Sequence, residues 1–158
     1  MIRAIIIYGL WIAVSAAIIK IFKKPPVETF LRFFLGASGL SHTIAFLGHA
    51  FKADEIAKFI GWPAGSPFQF EVAAANLALG VIGIMCLWIK DKFWLAMIAG
   101  STVFGWCTAF GHIRQIVLYQ NYAPGNAGLV LYLDILAPLL MIILYAPYSL
   151  KKRKQDAA

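Results

Sequence analysis

The chain has 158 residues, 61% of them hydrophobic and 13% charged, with a mean hydropathy of +0.78; soluble domains carry about a quarter charged residues, which excludes a water-soluble globular domain. The formal charge of +7 lies at the ends of apolar segments rather than in one stripe, which argues for membrane orientation and against a nucleic-acid partner. Cys86 and Cys107 fall inside apolar runs with no CxxC or His-Cys cluster beside them, so buried, inert thiols are expected rather than a disulfide framework or zinc knuckle.

A hydrocarbon core of about 30 Å is crossed by roughly 20 apolar residues at 1.5 Å rise each. Five segments meet that length, which predicts an all-α integral membrane bundle forming one domain over residues 1–158. The first, Ile2 to Phe22, ends at Lys20, Lys23, Lys24 and the Pro25-Pro26 breaker. A long apolar stretch running straight into a basic stop reads as a retained span rather than a cleaved signal. The second runs from Glu28 to Phe51. After it, Asp54 to Trp62 places Ile56, Phe59 and Ile60 on one helical face and Asp54, Glu55 and Lys58 elsewhere, which suits a short helix in the outer interface. Gly61-Trp62-Pro63-Ala64-Gly65 is turn-forming, and Ser66-Pro67-Phe68-Gln69 has the capping-box pattern that opens a helix. The third span is Pro67 to Ile89, the fourth Phe93 to Leu118 and the fifth Ala127 to Tyr148.

Short connectors make neighbouring spans antiparallel. With Lys151, Lys152, Arg153 and Lys154 in the cytoplasm, Lys20, Lys23, Lys24, Arg32, Lys90 and Lys92 share their side, leaving Arg3, Lys52, Lys58 and Arg114 opposite. Ten basic residues against four predict an outer N-terminus and an inner C-terminus. Trp62, Trp94, Tyr119, Tyr122 and Tyr148 fall near span ends, where amphipathic rings prefer to lie.

Ionisable groups near a helix centre cost about 2.5 to 3.5 kcal/mol each on insertion scales, so they face a bundle interior or water. In the second span His42 and His49 are seven apart and share a face with Ser38. In the fourth, Ser101, Gly105, Thr108, His112 and Gln115 follow the same spacing. In the third, Asn76, Gly80 and Gly83 make a small polar seam, with Glu71 about 140° round from Asn76. In the fifth, Asp134 precedes Pro138 by four, so its carbonyl loses its helical partner and the span should kink there. By depth His49, Glu71, His112 and Arg114 are shallow and His42, Asn76, Thr108 and Asp134 deeper, and these eight belong to the outer half. The opposite halves are almost purely apolar. The expected picture is a polar funnel open to the outside, binding a small ligand or ion through His42, His49, Glu71, Asn76, His112 and Asp134.

A divalent metal is the sharpest candidate for that ion, because histidine and carboxylate are suitable ligands. His42 and His49 stand about 10.5 Å apart along one helix, too far for one ion, so the single-ion set is His49, Glu71 and His112, with His42 and Asp134 as a deeper pair. No HExxH, ExxH or His-box accompanies it. Haem would need His42 and His112 as axial ligands, and no motif supports it. A membrane enzyme acting on a lipid-like or small periplasmic substrate would use His112 or His49 as proton carrier and Asp134 or Glu71 as orienting partner. In an accessory or self-associating subunit the same histidines would only bond helices together. Arg114, about 200° from His112, should face headgroups.

The stretch Ile60 to Glu71 (IGWPAGSPFQFE), continuing through Asn76-Leu77 and Gly80 to Gly83, resembles a family of small bacterial and archaeal multi-span membrane proteins without an assigned activity. Gly48-His49, Gly111-His112-Ile113-Arg114, Ala123-Pro124 to Gly128, and Asp134 add to the likeness, which covers most of the chain from residue 28 onward. More loosely the chain resembles the DoxX-type membrane proteins. The resemblance implies a prokaryotic cytoplasmic membrane and a helical fold, and brings no activity with it.

Overall fold

The computed structural model describes residues 27–157 together with Ala17, Lys20 and Ile21. Apart from those three residues, the expected first span, Ile2 to Phe22, lies outside the described residues. The regular structure of the described chain is all helix: α1 (Val27–Phe51), α2 (Ala53–Ile60), α3 (Phe68–Met85), α4 (Lys92–Tyr119) and α5 (Leu129–Asp156). All but the eight-residue α2 are long and apolar enough to cross a membrane, and no strand occurs among the described residues.

Small residues decide how closely the helices approach. A Cβ added at Gly39 of α1 would lie 2.5 Å from the Ile84 nitrogen, and one at Gly83 of α3 would lie 2.5 Å from the Gly39 Cα, so the two backbones touch directly. Lipid tails are as apolar as leucine, so such contact is what drives helices together within a bilayer. The third span is shorter than expected. Its helix ends at Met85, with Cys86, Leu87 and Trp88 drawn into tighter turns by bonds to the carbonyls of Gly83, Ile84 and Met85. The fifth is longer, and its helix runs unbroken through Pro138 and Pro147 beyond Tyr148 to Asp156.

One end of the bundle is a packed apolar core of Leu31, Phe34, Leu35, Cys86, Trp94, Met97, Ile98 and Met141. Trp94 was expected at the lipid interface and is instead fully buried. Its Nε1–H donates to the Cys86 carbonyl at 2.9 Å and its ring lies 4.9 Å from that of Tyr148; Trp88, 69% exposed, is the tryptophan on the surface there. Cys86 is buried as expected, whereas Cys107 is exposed. Cys107 lines an open apolar groove of about 620 Å³ with Ala75, Leu79, Ala99, Gly100, Val103 and Phe104.

A polar strap closes this basic end. Lys90 pairs with Glu28 at 2.7 Å, the Arg32 Nε–H donates to the Leu87 carbonyl, and Asp91 accepts from Tyr148 and pairs with Lys152. Asp91 takes φ 64° and ψ −116°, a backbone region that side chains other than glycine enter at a cost of order 1–3 kcal/mol. Its two partners on α5 hold it there. Hydrogen bonds from Lys152 and then Tyr148 keep its carboxyl below the usual carboxylate range. A depressed pKa adds stability that is fully present above the unfolded-state value, about 3.9, and is lost as pH falls through the folded-state value. Asp91→Asn is therefore expected to lower the unfolding midpoint slightly at neutral pH, because the group is partly exposed and screened. The two proteins should converge in strong acid, which thermal melts across a pH series would show.

At the opposite end α2 ends in a Schellman turn: Gly61 N–H donates to Lys58 O at 3.2 Å and Trp62 N–H to Ala57 O at 2.9 Å. Gly61 has φ +80°, and a Cβ there would sit 2.5 Å from Asn121 Oδ1, so both conformation and space require glycine. Ala57 and Ile60 are buried and Asp54, Glu55 and Lys58 exposed, which is the amphipathic split expected. The apolar face packs on protein. Gly125 N–H donates to Phe59 O at 3.0 Å and Asn121 Nδ2 to Ile60 O at 3.0 Å, so α2 is docked on the loop between α4 and α5.

Candidate functional site

The polar residues singled out by spacing lie mostly inside. Ser38, Asn76, Ser101 and His112 are buried, Thr108 and Gln115 half-buried, and Glu71 and Arg114 exposed. Each histidine is bonded through Nδ1 to a carboxamide oxygen on another element.

His42 on α1 donates to Asn76 Oδ1 on α3 at 2.8 Å, and His49 to Gln69 Oε1 at 2.6 Å. The helices run antiparallel, and the seven-residue spacing of His42 and His49 is matched by that of Gln69 and Asn76, so both pairs fall in one register. Gln69 was expected to cap its own helix. No side-chain cap forms at the start of α3, because its carboxamide reaches across to α1.

His112 on α4 donates to Asn126 Oδ1 at 2.8 Å. Asn126 is fully buried in the loop before α5, and its Nδ2 donates to the carbonyls of Asn121 at 2.8 Å and His112 at 3.3 Å. With its amide hydrogens spent on carbonyls, its oxygen must face a donor, so His112 Nδ1 carries the hydrogen. Asn76 fixes His42 likewise, its Nδ2 donating to Val72 O at 2.9 Å. Both imidazoles are thereby held with Nδ1 protonated, the second-partner arrangement that turns Nε2 toward whatever the ring serves.

For His112 that object is Asp134, whose Oδ2 lies 3.6 Å from Nε2. Thr108 Oγ1 is 2.9 Å from the same oxygen and 2.8 Å from the Gly105 carbonyl. A Cβ at Gly105 would lie 2.8 Å from the Asp134 carbonyl and 3.0 Å from Pro138 Cγ, so α4 closes on the acceptor that Pro138 leaves without a helical partner. The result is a continuous polar chain, Asn126–His112–Asp134–Thr108. A quarter of the Asp134 side chain remains accessible.

Two expected groupings are corrected. Asp134 pairs with His112 and Thr108, whereas His42 pairs with Asn76 and sets its ring edge against Phe104 with centroids 5.9 Å apart. Among the described residues no three of His, Cys, Asp and Glu gather closely enough to hold a metal ion, so His49, Glu71 and His112 do not form the expected set. Glu71, 140° from the buried face of α3, points away from it. Among the described residues, no buried side-chain nitrogen or oxygen lacks a hydrogen-bond partner. Sequence reasoning missed Asn126, which reads as a turn residue beside Gly125.

Four apolar membrane-length helices carrying buried polar couples define a polytopic helical membrane protein. The model of a family of unknown function, DUF6790, matches residues 2–154, and the chain belongs to that family. No curated protein and no solved structure matches it. The match does not bear on the looser likeness to DoxX-type proteins.

Proposed function

We propose that this membrane protein binds a small polar ligand or ion at the His112–Asp134 couple. The supporting observation is the aim of the ring: Asn126 takes Nδ1, and Nε2 faces a carboxylate that keeps part of its surface open. In an apolar bundle, a ring nitrogen and a carboxylate oxygen 3.6 Å apart, with a threonine hydroxyl beside them, form a compact set of acceptors for a donor-bearing or cationic group. Among the described residues the packed core at the basic end offers no polar route onward, which favours binding from one side over passage through a protomer. On the same reading the basic end faces the cytoplasm of a prokaryotic cell and the histidine end faces out.

Zn²⁺ is the first probe, since imidazole and carboxylate both suit it. Purified protein is expected to melt at a higher temperature with Zn²⁺, and His112→Ala to abolish that rise while His49→Ala preserves it. If neither protein responds, and elemental analysis finds no bound metal, Zn²⁺ is not the ligand; the same pair of variants then screens small amines. A second reading draws on the carboxamide bonds themselves, which tie α1 to α3 and α4 to the following loop. If His112→Ala and His49→Ala lower stability alike and no probe binds, the histidines serve only to hold the bundle.

A further inference from the structure

We propose that the basic end of the bundle is a binding surface for anionic phospholipid headgroups, with Lys92, Lys151, Arg153 and Lys154 as its contacts. From Val27 onward this end holds seven cations, Arg32, Lys90, Lys92, Lys151, Lys152, Arg153 and Lys154, against three carboxylates, Glu28, Asp91 and Asp156. Internal bonds use three of the cations: Glu28 holds Lys90, Asp91 holds Lys152, and Arg32 is engaged with the Leu87 carbonyl. The remaining four are exposed. Three of them stand on a rigid support. The apolar run of α5 ends at Leu150, yet the helix continues six residues to Asp156, a projection of about 9 Å beyond the span. Lys152 and Tyr148 anchor that extension to Asp91, the residue immediately before Lys92 at the start of α4.

Among the described residues the histidine end has no such excess. There Lys52, Lys58 and Arg114 meet Asp54, Glu55, Glu71 and Asp134, and Lys52 is paired with Glu55 at 3.0 Å. The positive field is therefore one-sided and sits where four membrane-spanning helices leave the hydrocarbon, at headgroup depth. A surface cluster of this kind is attracted to acidic lipid over a distance of about one Debye length. Position decides the occupant: Lys151, Arg153 and Lys154 all lie within about 6 Å of the end of the apolar run, at the depth of the headgroup layer, so the lipid headgroups are the anions nearest to them.

The test is the unfolding midpoint of the full chain in nanodiscs of phosphatidylcholine, compared with nanodiscs that also contain phosphatidylglycerol. The acidic lipid is expected to raise the midpoint. Combining Lys151→Gln, Arg153→Gln and Lys154→Gln should remove at least about half of that rise, since each basic residue contributes a similar share, and Asp156→Lys should enlarge it. Lys152→Gln should lower the midpoint in both lipids and leave the rise intact, because Lys152 serves the internal strap. The proposal is overturned if phosphatidylglycerol produces no rise, if the triple variant and Asp156→Lys both keep the wild-type rise, or if soluble glycerol phosphate reproduces it in neutral discs.

Discussion

Replacing Gly83 with leucine is expected to lower stability by at least about 3 kcal/mol, the upper end of what overpacking costs. A Cβ at that position meets Gly39 Cα at 2.5 Å, Gly39 N at 2.8 Å and Met97 Cε at 2.9 Å. Methionine can swing aside, but the α1 backbone cannot. The helices would have to separate or slide, and either movement pulls His42 from Asn76 and His49 from Gln69, because both bonds bridge the same seam. Gly111→Ala is the control. Nothing lies within 4 Å of its added Cβ, and exchanging glycine for alanine within a helix is worth up to about 1 kcal/mol in favour of the variant. Denaturant titration in detergent micelles should separate the two by several kcal/mol. Equal, small effects would show that α1 and α3 do not touch where the glycines place them.

That seam was largely legible in the sequence. By spacing Asn76, Gly80 and Gly83 form one stripe, as do His42 and His49, and two antiparallel stripes of similar length are natural neighbours. What went unread was the partner of each histidine. Gln69 stands three residues after Ser66, a position that local rules assign to capping, and the tertiary bond to His49 overrode that preference. The signal was present in the equal seven-residue spacings, which become informative only once the helices are known to be antiparallel. Trp94 failed for a related reason. Distance from a span end fixes depth but not azimuth, and Trp94 lies on the face of α4 that turns inward to the Cys86 carbonyl. Asp134 and His112 illustrate the same limit. Depth placed them in one half of the bundle, but whether Asp134 would meet His42 or His112 depended on which helices α5 packs against, and it packs closely on α4.

Asn126 is the residue whose loss should matter most to the site. It is fully buried and its carboxamide serves three groups: the His112 ring, the His112 carbonyl and the Asn121 carbonyl. Asn126→Ala strands the His112 ring N–H and the Asn121 carbonyl, at about 1–3 kcal/mol for each buried group left unsatisfied, whereas the His112 carbonyl keeps its helical partner within α4. Some of that cost is recovered if water enters the vacated space. Asp134→Asn should be much milder, because an amide oxygen still accepts from Thr108 and the side chain is a quarter accessible. The two variants also part in what they do to the ring. Nitrogen NMR of labelled wild-type protein is expected to find His112 with its hydrogen on Nδ1. Asn126→Ala should release that tautomer into a mixture, whereas Asp134→Asn should retain it, since Asn126 rather than Asp134 sets it. If Asp134→Asn scrambled the tautomer and Asn126→Ala did not, orientation would run from the carboxylate inward. The site would then have to be rebuilt around Asp134, with Asn126 reduced to closing the loop between α4 and α5.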